Sequence, residues 1–593
     1  MSIGRFWRTV RHLSADQWWY RLYRRGRYLL ARLAPTLWAQ RLDKLSKATP
    51  MAQPVRPALN AVADQILAQQ MAVHGPGLAA MAAGRFTFLG HTVDFGGIEN
   101  VDWRRASVSG NDLLWRLNLG YMGYAVPWLA SGRPADRARV AHLVLGLETQ
   151  NPWDAPGVFR DLWNPYTASH RLINLLAGLN LHGRAGGDMA GTDLDRIREH
   201  CQRCAAYIAD NLERDLQYNH LMKNYVALAV YCAGLDALPA GWTALPRAAM
   251  ISVRQNFLTD GGHAERSPMY HLLGLRDLHL LRASTFIGGA DAGALDDYAR
   301  RAAAALGVLS HPDGDIALFN DAWLGEAPAA DVTALTQPST GRVDLTDMGY
   351  VRLEGGDGVA IFDVGCCGPD ENPAHAHADF LSAELSVDRA RFLVDPGTAA
   401  YAPGPARDLC RSASQHNGPH VVDAEPIEFW HSFRVGRRGR AEVIADLDLD
   451  APLRAAGRQD GYAHLGIEVR RCLGLWPGRG LMIADLWLGR AAVQRAVSRF
   501  LVPGDWLVPD GEAAVFERGD RRVTVSVLVG TAGVVQPAEW WPRFAEAEPA
   551  HALSLAAEPL GVEDIFGLVV LFHWGRPPDV DGRETLDKLK DCC

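Results

Sequence analysis

No run of about 18 apolar residues occurs in the chain, so no helix long enough to cross a bilayer is expected. The longest apolar stretch, Tyr225–Leu235, reads as a buried helix. The first residues lack the apolar core of a secretory signal, so the expectation is a cytoplasmic protein or one peripheral to the inner membrane, with the periplasm as alternative. Cysteine provides no disulfide framework. The nine cysteines are odd in number and irregularly placed, ending in Cys592 and Cys593, and Cys201 and Cys204 form a CxxC without the second pair of a zinc ribbon. Positive charge is not in excess either: 60 Lys and Arg face 68 Asp and Glu, and the net charge of −8 excludes any global pull toward nucleic acid. An acidic substrate would need a local basic groove. Disorder is excluded because 48% hydrophobic and 22% charged residues are ordinary globular values. Composition sets no oligomeric state.

What is present begins with a basic aromatic segment at residues 1–50. Arg5, Arg8, Arg11, Arg21, Arg24, Arg25, Arg27 and Arg32 interleave there with Phe6, Trp7, Trp18, Trp19, Tyr20 and Tyr23. Such a helix suits peripheral contact with an anionic membrane, or packing of its aromatic residues on the protein's own body. A linker and a small extended region follow at 51–110, where Gly84–Trp103 reads as strands and turns. Residues 111–340 repeat apolar residues at helical spacing, in segments such as His170–Leu181 and Leu194–Leu212. From 341 to 593 the texture changes to short alternating runs, such as Val359–Val364 and Arg522–Val529, separated by turn signals. Strands without intervening helices predict an antiparallel β-sandwich, so the chain is multidomain α+β, helices first and sheets second.

Three clusters can carry chemistry. The densest is Pro373-Ala-His375-Ala-His377-Ala-Asp379, followed by Asp395-Pro-Gly-Thr and by His416-Asn417. Read as a strand, the first run puts His375 and His377 on one face. Imidazole and carboxylate suit a zinc-like ion, and His377, Asp395 and His416 form the expected metal triad, with hydrogen-bonded core histidines as the alternative. The pattern also fits a metal-dependent hydrolase. A second cluster, Asp260–His271, opens a helix near Tyr270 after a Gly-Gly turn. The third, Tyr218–Asn224, contains Asn219 and His220 just before an apolar helix.

Taken together in this order, the three clusters resemble the heparinase II/III-like polysaccharide lyases. Further matches are Trp115–Asn118, Trp163–Arg171, Asn320-Asp321 and Trp430–Arg434. The resemblance implies an incomplete (α/α) toroid followed by an antiparallel β-sandwich. It implies cleavage of a uronate-containing, acidic polysaccharide by β-elimination. Asn219, helped by His220, would neutralise the uronate carboxylate and so stabilise the developing enolate. Tyr270 would transfer protons, with His375 as partner acid or base. One divalent ion, zinc or else calcium, would hold the sheet loop in place through His377, Asp395 and His416. Arg266, Arg407, Arg411 and Arg434 are candidates for binding the sugar's acidic groups, since guanidinium clamps carboxylate or sulfate. The competing reading is a glycan-binding or scaffolding protein of an exopolysaccharide system, without turnover.

Overall fold

The computed structural model describes residues 3–105, 112–336, 340–445, 447–489, 496–509, 514–561 and 564–592. Cys593 and residues 106–110 of the expected linker region lie outside them. The other eight cysteines are free thiols. Among the described residues no helix is long and apolar enough to cross a membrane. The chain divides into two compact units, one of Leu13–Asn256 and Leu273–Ala299, the other of Met1–His12, Phe257–Leu272 and Arg300–Cys593.

The first unit is helical. Its central helix, Pro165–Arg184, starts where Asn164 accepts a hydrogen bond from the Tyr166 amide and Pro165 occupies the first turn. Leu172, Leu175, Leu176 and Leu179 are buried, as are Thr167, Arg171 and Asn174 on its other side. A helix buried all round has neighbours all round. Helices Pro57–His74, Ala125–Ala130, Thr192–Asp210 and Tyr218–Ala233 pack against it. Its buried Arg171 is satisfied by His200 and by the Gly120 and Leu162 carbonyls, all at 2.9 Å.

The second unit is built on antiparallel sheets. One is a five-stranded meander of Gly341–Leu345, Tyr350–Gly355, Gly358–Asp363, Ala383–Val387 and Ala390–Leu393. An eight-stranded sheet is centred on Glu468–Trp476, Gly480–Leu488 and Ile565–His573, and a four-stranded one on Ala496–Pro503 and Glu546–Ala556. All three sheets contribute to one core, in which Phe362 and Leu385 meet Leu473, Ile483, Phe572, Phe500 and Leu555. Alternate residues of the meander face the other way: Tyr350, Val359 and Ile361 pack on Val308, Leu309 and Phe319. Burial on both faces is why the strand Gly358–Asp363 carries Val359, Ala360, Ile361 and Phe362 in succession and does not alternate strictly with polar residues. The outer face of the large sheet is covered by helix Gly582–Asp591 through Leu586 and Leu589.

The basic N-terminal segment is not one element. Helix Ile3–Val10 belongs to the sheet unit, where Arg5 and Arg8 pair with Glu428 at 3.0 and 2.8 Å and Thr9 accepts the Trp430 indole N–H at 3.0 Å. Hydrogen bonding from Arg8, above all, takes Glu428 down to about 2. Helices Ala15–Leu33 and Pro35–Ala48 belong to the helical unit.

Candidate functional site

The site is organised by the turn Asn320-Asp321. Asn320 adopts a left-handed backbone, φ 58°, a conformation asparagine tolerates better than most residues. Its amide donates to Asp379 at 2.8 Å and its side-chain oxygen accepts from the His377 amide at 2.9 Å. The Asp321 amide donates to the His375 carbonyl at 3.0 Å. The segment Pro373–Asp379 is therefore held against this turn and is not the strand that its alternation suggested. His375 and His377 converge on one carboxylate: His375 Nδ1 meets Asp321 Oδ2 at 2.9 Å and His377 Nε2 meets Oδ1 at 3.0 Å.

Asp321 is completely buried and also receives the Arg407 guanidinium in a two-pronged pair. Burial works against its charge, but Arg407 and the two histidine bonds hold its carboxyl well below the usual range. The His375 ring lies over the Tyr270 ring with centroids 3.9 Å apart and planes 31° apart. Tyr270 is positioned by Ser267, whose hydroxyl donates to the Asp321 carbonyl at 2.7 Å and accepts the Tyr270 amide at 3.3 Å. Its own hydroxyl lies 3.1 Å from that of Tyr401. Burial, reinforced by Tyr401 and Asp321, pushes the Tyr270 phenol well above its ordinary value, so it is neutral at pH 7. The result is a phenol, an imidazole and a buried orienting carboxylate in sequence, which can give and take protons in one turnover.

Behind His377 lies the expected triad. His377, Asp395 and His416 are fully buried, and one ligand atom from each lies within 4.8 Å of the others. Asp395 is set by the turn at Gly397, whose φ of +75° and 2.2 Å approach of the Trp541 carbonyl to a would-be Cβ admit glycine alone. His416 Nδ1 meets Asp395 at 2.8 Å. His377 Nδ1, Asp395 Oδ1 and His416 Nε2 are buried without a hydrogen-bond partner, which is costly unless something coordinates them. Burial takes His377 down to about 3 and His416 to about 4, leaving both as the neutral imidazoles that ligate metals. Burial and the Glu384 charge push Asp395 well up, the direction that a bound cation would reverse. The residues fit a divalent cation.

The other expected residues are placed differently. Asn219 and His220 belong to the helical unit, in the first turn of Tyr218–Ala233. Asn219 Oδ1 is buried and unpartnered, and His220 Nδ1 meets the buried Glu213 at 3.2 Å. Arg407 and Arg411 lie under the site, not on its surface. Arg411 is 1% exposed and donates to the Ala376, His431 and Ser432 carbonyls, and burial with Arg407 takes it down to about 9. Arg266 bonds the Met348 carbonyl, whereas Arg434 is exposed, about 6.0 Å above the Trp430 ring.

Two residues without an assigned role from sequence join the site. Tyr401 shares the hydroxyl contact with Tyr270, and its ring lies 5.1 Å from the Arg407 guanidinium. Its signal was an aromatic soon after Asp395-Pro-Gly-Thr in an otherwise small-residue stretch. Glu265 approaches His375 Nε2 at 4.0 Å, and neither of its carboxyl oxygens has a hydrogen-bond partner. Burial, and then Asp321, raise Glu265 from 4.5 to about 8. A folded value above the unfolded one means stability is fully present below pH about 4.5 and is lost as pH rises through about 8. Glu265→Gln keeps the uncharged form, so wild-type stability should fall relative to this variant across that window, by on the order of a few kcal/mol. Denaturant unfolding of both proteins along a pH series measures it; parallel curves would refute the buried neutral acid.

Residues 337–559 match the family described as heparinase II/III-like, C-terminal. No curated protein matches the chain. Among solved structures, a heparinase III is similar at 14% identity with a TM-score of 0.65, covering 88% of this chain and 86% of that one. A second heparinase III gene product is similar at 15% identity and a TM-score of 0.56, covering 88% and 84%. A heparan sulfate lyase mutant from Pedobacter heparinus is similar at 12% identity and a TM-score of 0.55, covering 86% and 84%. The fold is the expected incomplete (α/α) toroid followed by an antiparallel β-sandwich, and what residues 337–559 resemble is the C-terminal part of the heparinase II/III-like family.

Proposed function

We propose that this protein is a polysaccharide lyase that cleaves a uronate-containing, acidic glycan by β-elimination. The observation that carries the reading is the Tyr270–His375 ring pair at 3.9 Å, with His375 oriented by the buried Asp321. In β-elimination the proton at C5 of the uronate is removed, its electron pair forms the C4–C5 double bond, the C4–O bond breaks and the leaving oxygen takes a proton. The Nδ1–H to Asp321 bond sets the His375 tautomer in which Nε2 accepts a proton. On this reading Nε2 takes the C5 proton and the neutral Tyr270 phenol protonates the leaving oxygen. Asn219, with His220, is assigned to the carboxylate, whose neutralisation stabilises the developing enolate.

His377, Asp395 and His416 would hold one divalent ion, with zinc favoured by the two imidazoles. A bound ion would supply fixed positive charge that orders these ligands. His377 also shares Asp321 with His375, so the metal ligands and the proton-transferring imidazole rest on the same carboxylate.

The test is a panel of uronic polysaccharides followed by ultraviolet absorbance of the unsaturated product, with His375→Ala as control. A new absorbance lost in His375→Ala supports the reading. Products with saturated ends would establish a hydrolase, and tight binding without any product would establish the scaffolding function.

A further inference from the structure

We infer that the outward face of helix Ala15–Leu33 binds an anionic phospholipid surface, the helix lying in the plane of the membrane. The helix is turned inside out. At about 3.6 residues per turn, Tyr20, Arg24, Arg27, Tyr28 and Ala31 fall on one face, and this is the face packed on the protein. Arg24 pairs there with Asp215 at 2.9 Å, Arg27 pairs with Asp210, and the Tyr28 ring stacks on Phe159 at 6.4 Å. The opposite face carries Trp18, Trp19, Leu22, Leu29, Leu30 and Leu33 into solvent. Trp19 is 64% exposed, Leu22 58% and Leu33 71%. A folded protein rarely shows so continuous an apolar stripe unless something covers it.

Charge decides what covers it. Along one edge of the stripe the same helical periodicity places Arg21, Arg25 and Arg32, all outside the inward face. The sole acidic residue of the helix is Asp16, in its first turn. Apolar and indole side chains bordered by arginine on a helix that does not span are the arrangement that lies at a headgroup boundary, where tryptophan is favoured and anionic lipid attracts the basic edge. A protein partner or a second copy would need an acidic border opposite these arginines, and the helix itself supplies only Asp16. Each arginine near an anionic surface contributes about a fivefold gain in partitioning, from roughly 1 kcal/mol apiece.

The experiment is co-sedimentation of the full chain with vesicles of phosphatidylglycerol and phosphatidylcholine, against vesicles of phosphatidylcholine alone. Binding is expected to the anionic vesicles and to fall as salt approaches ~1 M, where the screening length is ~3 Å. Arg25→Glu with Arg32→Glu should weaken it at least tenfold, and so should Trp19→Ser with Leu22→Ser and Leu33→Ser. All five side chains are exposed, so melting curves should match the wild type. No preference for anionic vesicles overturns the inference. So does binding that needs the arginines but not the apolar residues, which marks a polyanion patch, and so does self-association, seen by sedimentation without vesicles, that the serine variant abolishes.

Discussion

Tyr270→Phe should lower turnover by about 10²–10⁴-fold while the fold and the affinity for glycan stay nearly unchanged. The ring remains, so the 3.9 Å stack on His375 and its packing persist. What is lost is one hydroxyl and its 3.1 Å contact with Tyr401, a stability change of about 0.5–1.5 kcal/mol. A proton donor missing only in the transition state lowers kcat and kcat/KM together and leaves KM alone. Tyr401→Phe removes the other end of the same contact but not the donor, so its effect on kcat should be the smaller by at least tenfold. Initial rates of unsaturated-product formation, a binding isotherm and a melting curve for each variant make the comparison. A Tyr270→Phe protein with the wild-type rate, or Tyr401→Phe as severe as Tyr270→Phe, would remove Tyr270 from the role of donor.

The candidate metal cluster was legible because its residues are chemically conspicuous and close in sequence, with His377, Asp395 and His416 set among apolar and turn residues. Their burial was not legible, and burial is what makes the unpartnered atoms a site. Asp321 was seen only as part of a family-like dipeptide, because its partners His375, His377 and Arg407 lie far along the chain. An arginine reads alike on a surface and in a core, and Arg407 and Arg411 proved to be interior. The same limit applied at the N-terminus. Period and residue type showed an amphipathic basic helix, but the carboxylates that draw Arg24 and Arg27 inward come from far along the chain, Asp215 from a turn and Asp210 from the end of helix Thr192–Asp210. The Asp260–His271 cluster lies in a helical stretch of sequence yet packs with the sheets, since contacts with Met348 and Asp321 hold it there. Helix and strand texture, which depends on local periodicity, agreed with the structure more closely than anything that depends on partners.

Asp321→Asn should damage stability, metal retention and turnover at once, because one carboxylate serves all three. The change keeps the shape and removes the charge. Arg407 is 0% exposed, and beyond Asp321 its guanidinium reaches the Ser432 carbonyl at 3.0 Å, so it becomes a buried charge without a counter-ion. Breaking such a pair from one side costs on the order of 3–5 kcal/mol. The amide keeps an acceptor for one of the two histidine N–H groups and turns an N–H toward the other, since His375 and His377 use different oxygens of Asp321. Even the histidine that keeps an acceptor loses the carboxylate charge. For His375 the comparable change in a serine-protease triad costs about 10⁴ in kcat. For His377, disruption of such supporting contacts weakens metal binding about 10–100-fold. Arg407→Met in the same protein separates these effects. It removes the stranded charge, so the double variant should regain most of the lost stability, yet turnover should stay low because His375 still lacks its carboxylate. Unfolding free energies, metal content after dialysis and kcat for the two single variants and the double variant give the full cycle. A double variant no more stable than Asp321→Asn would show that Arg407 is not what the carboxylate neutralises, and recovered turnover in it would show that His375 does not depend on Asp321.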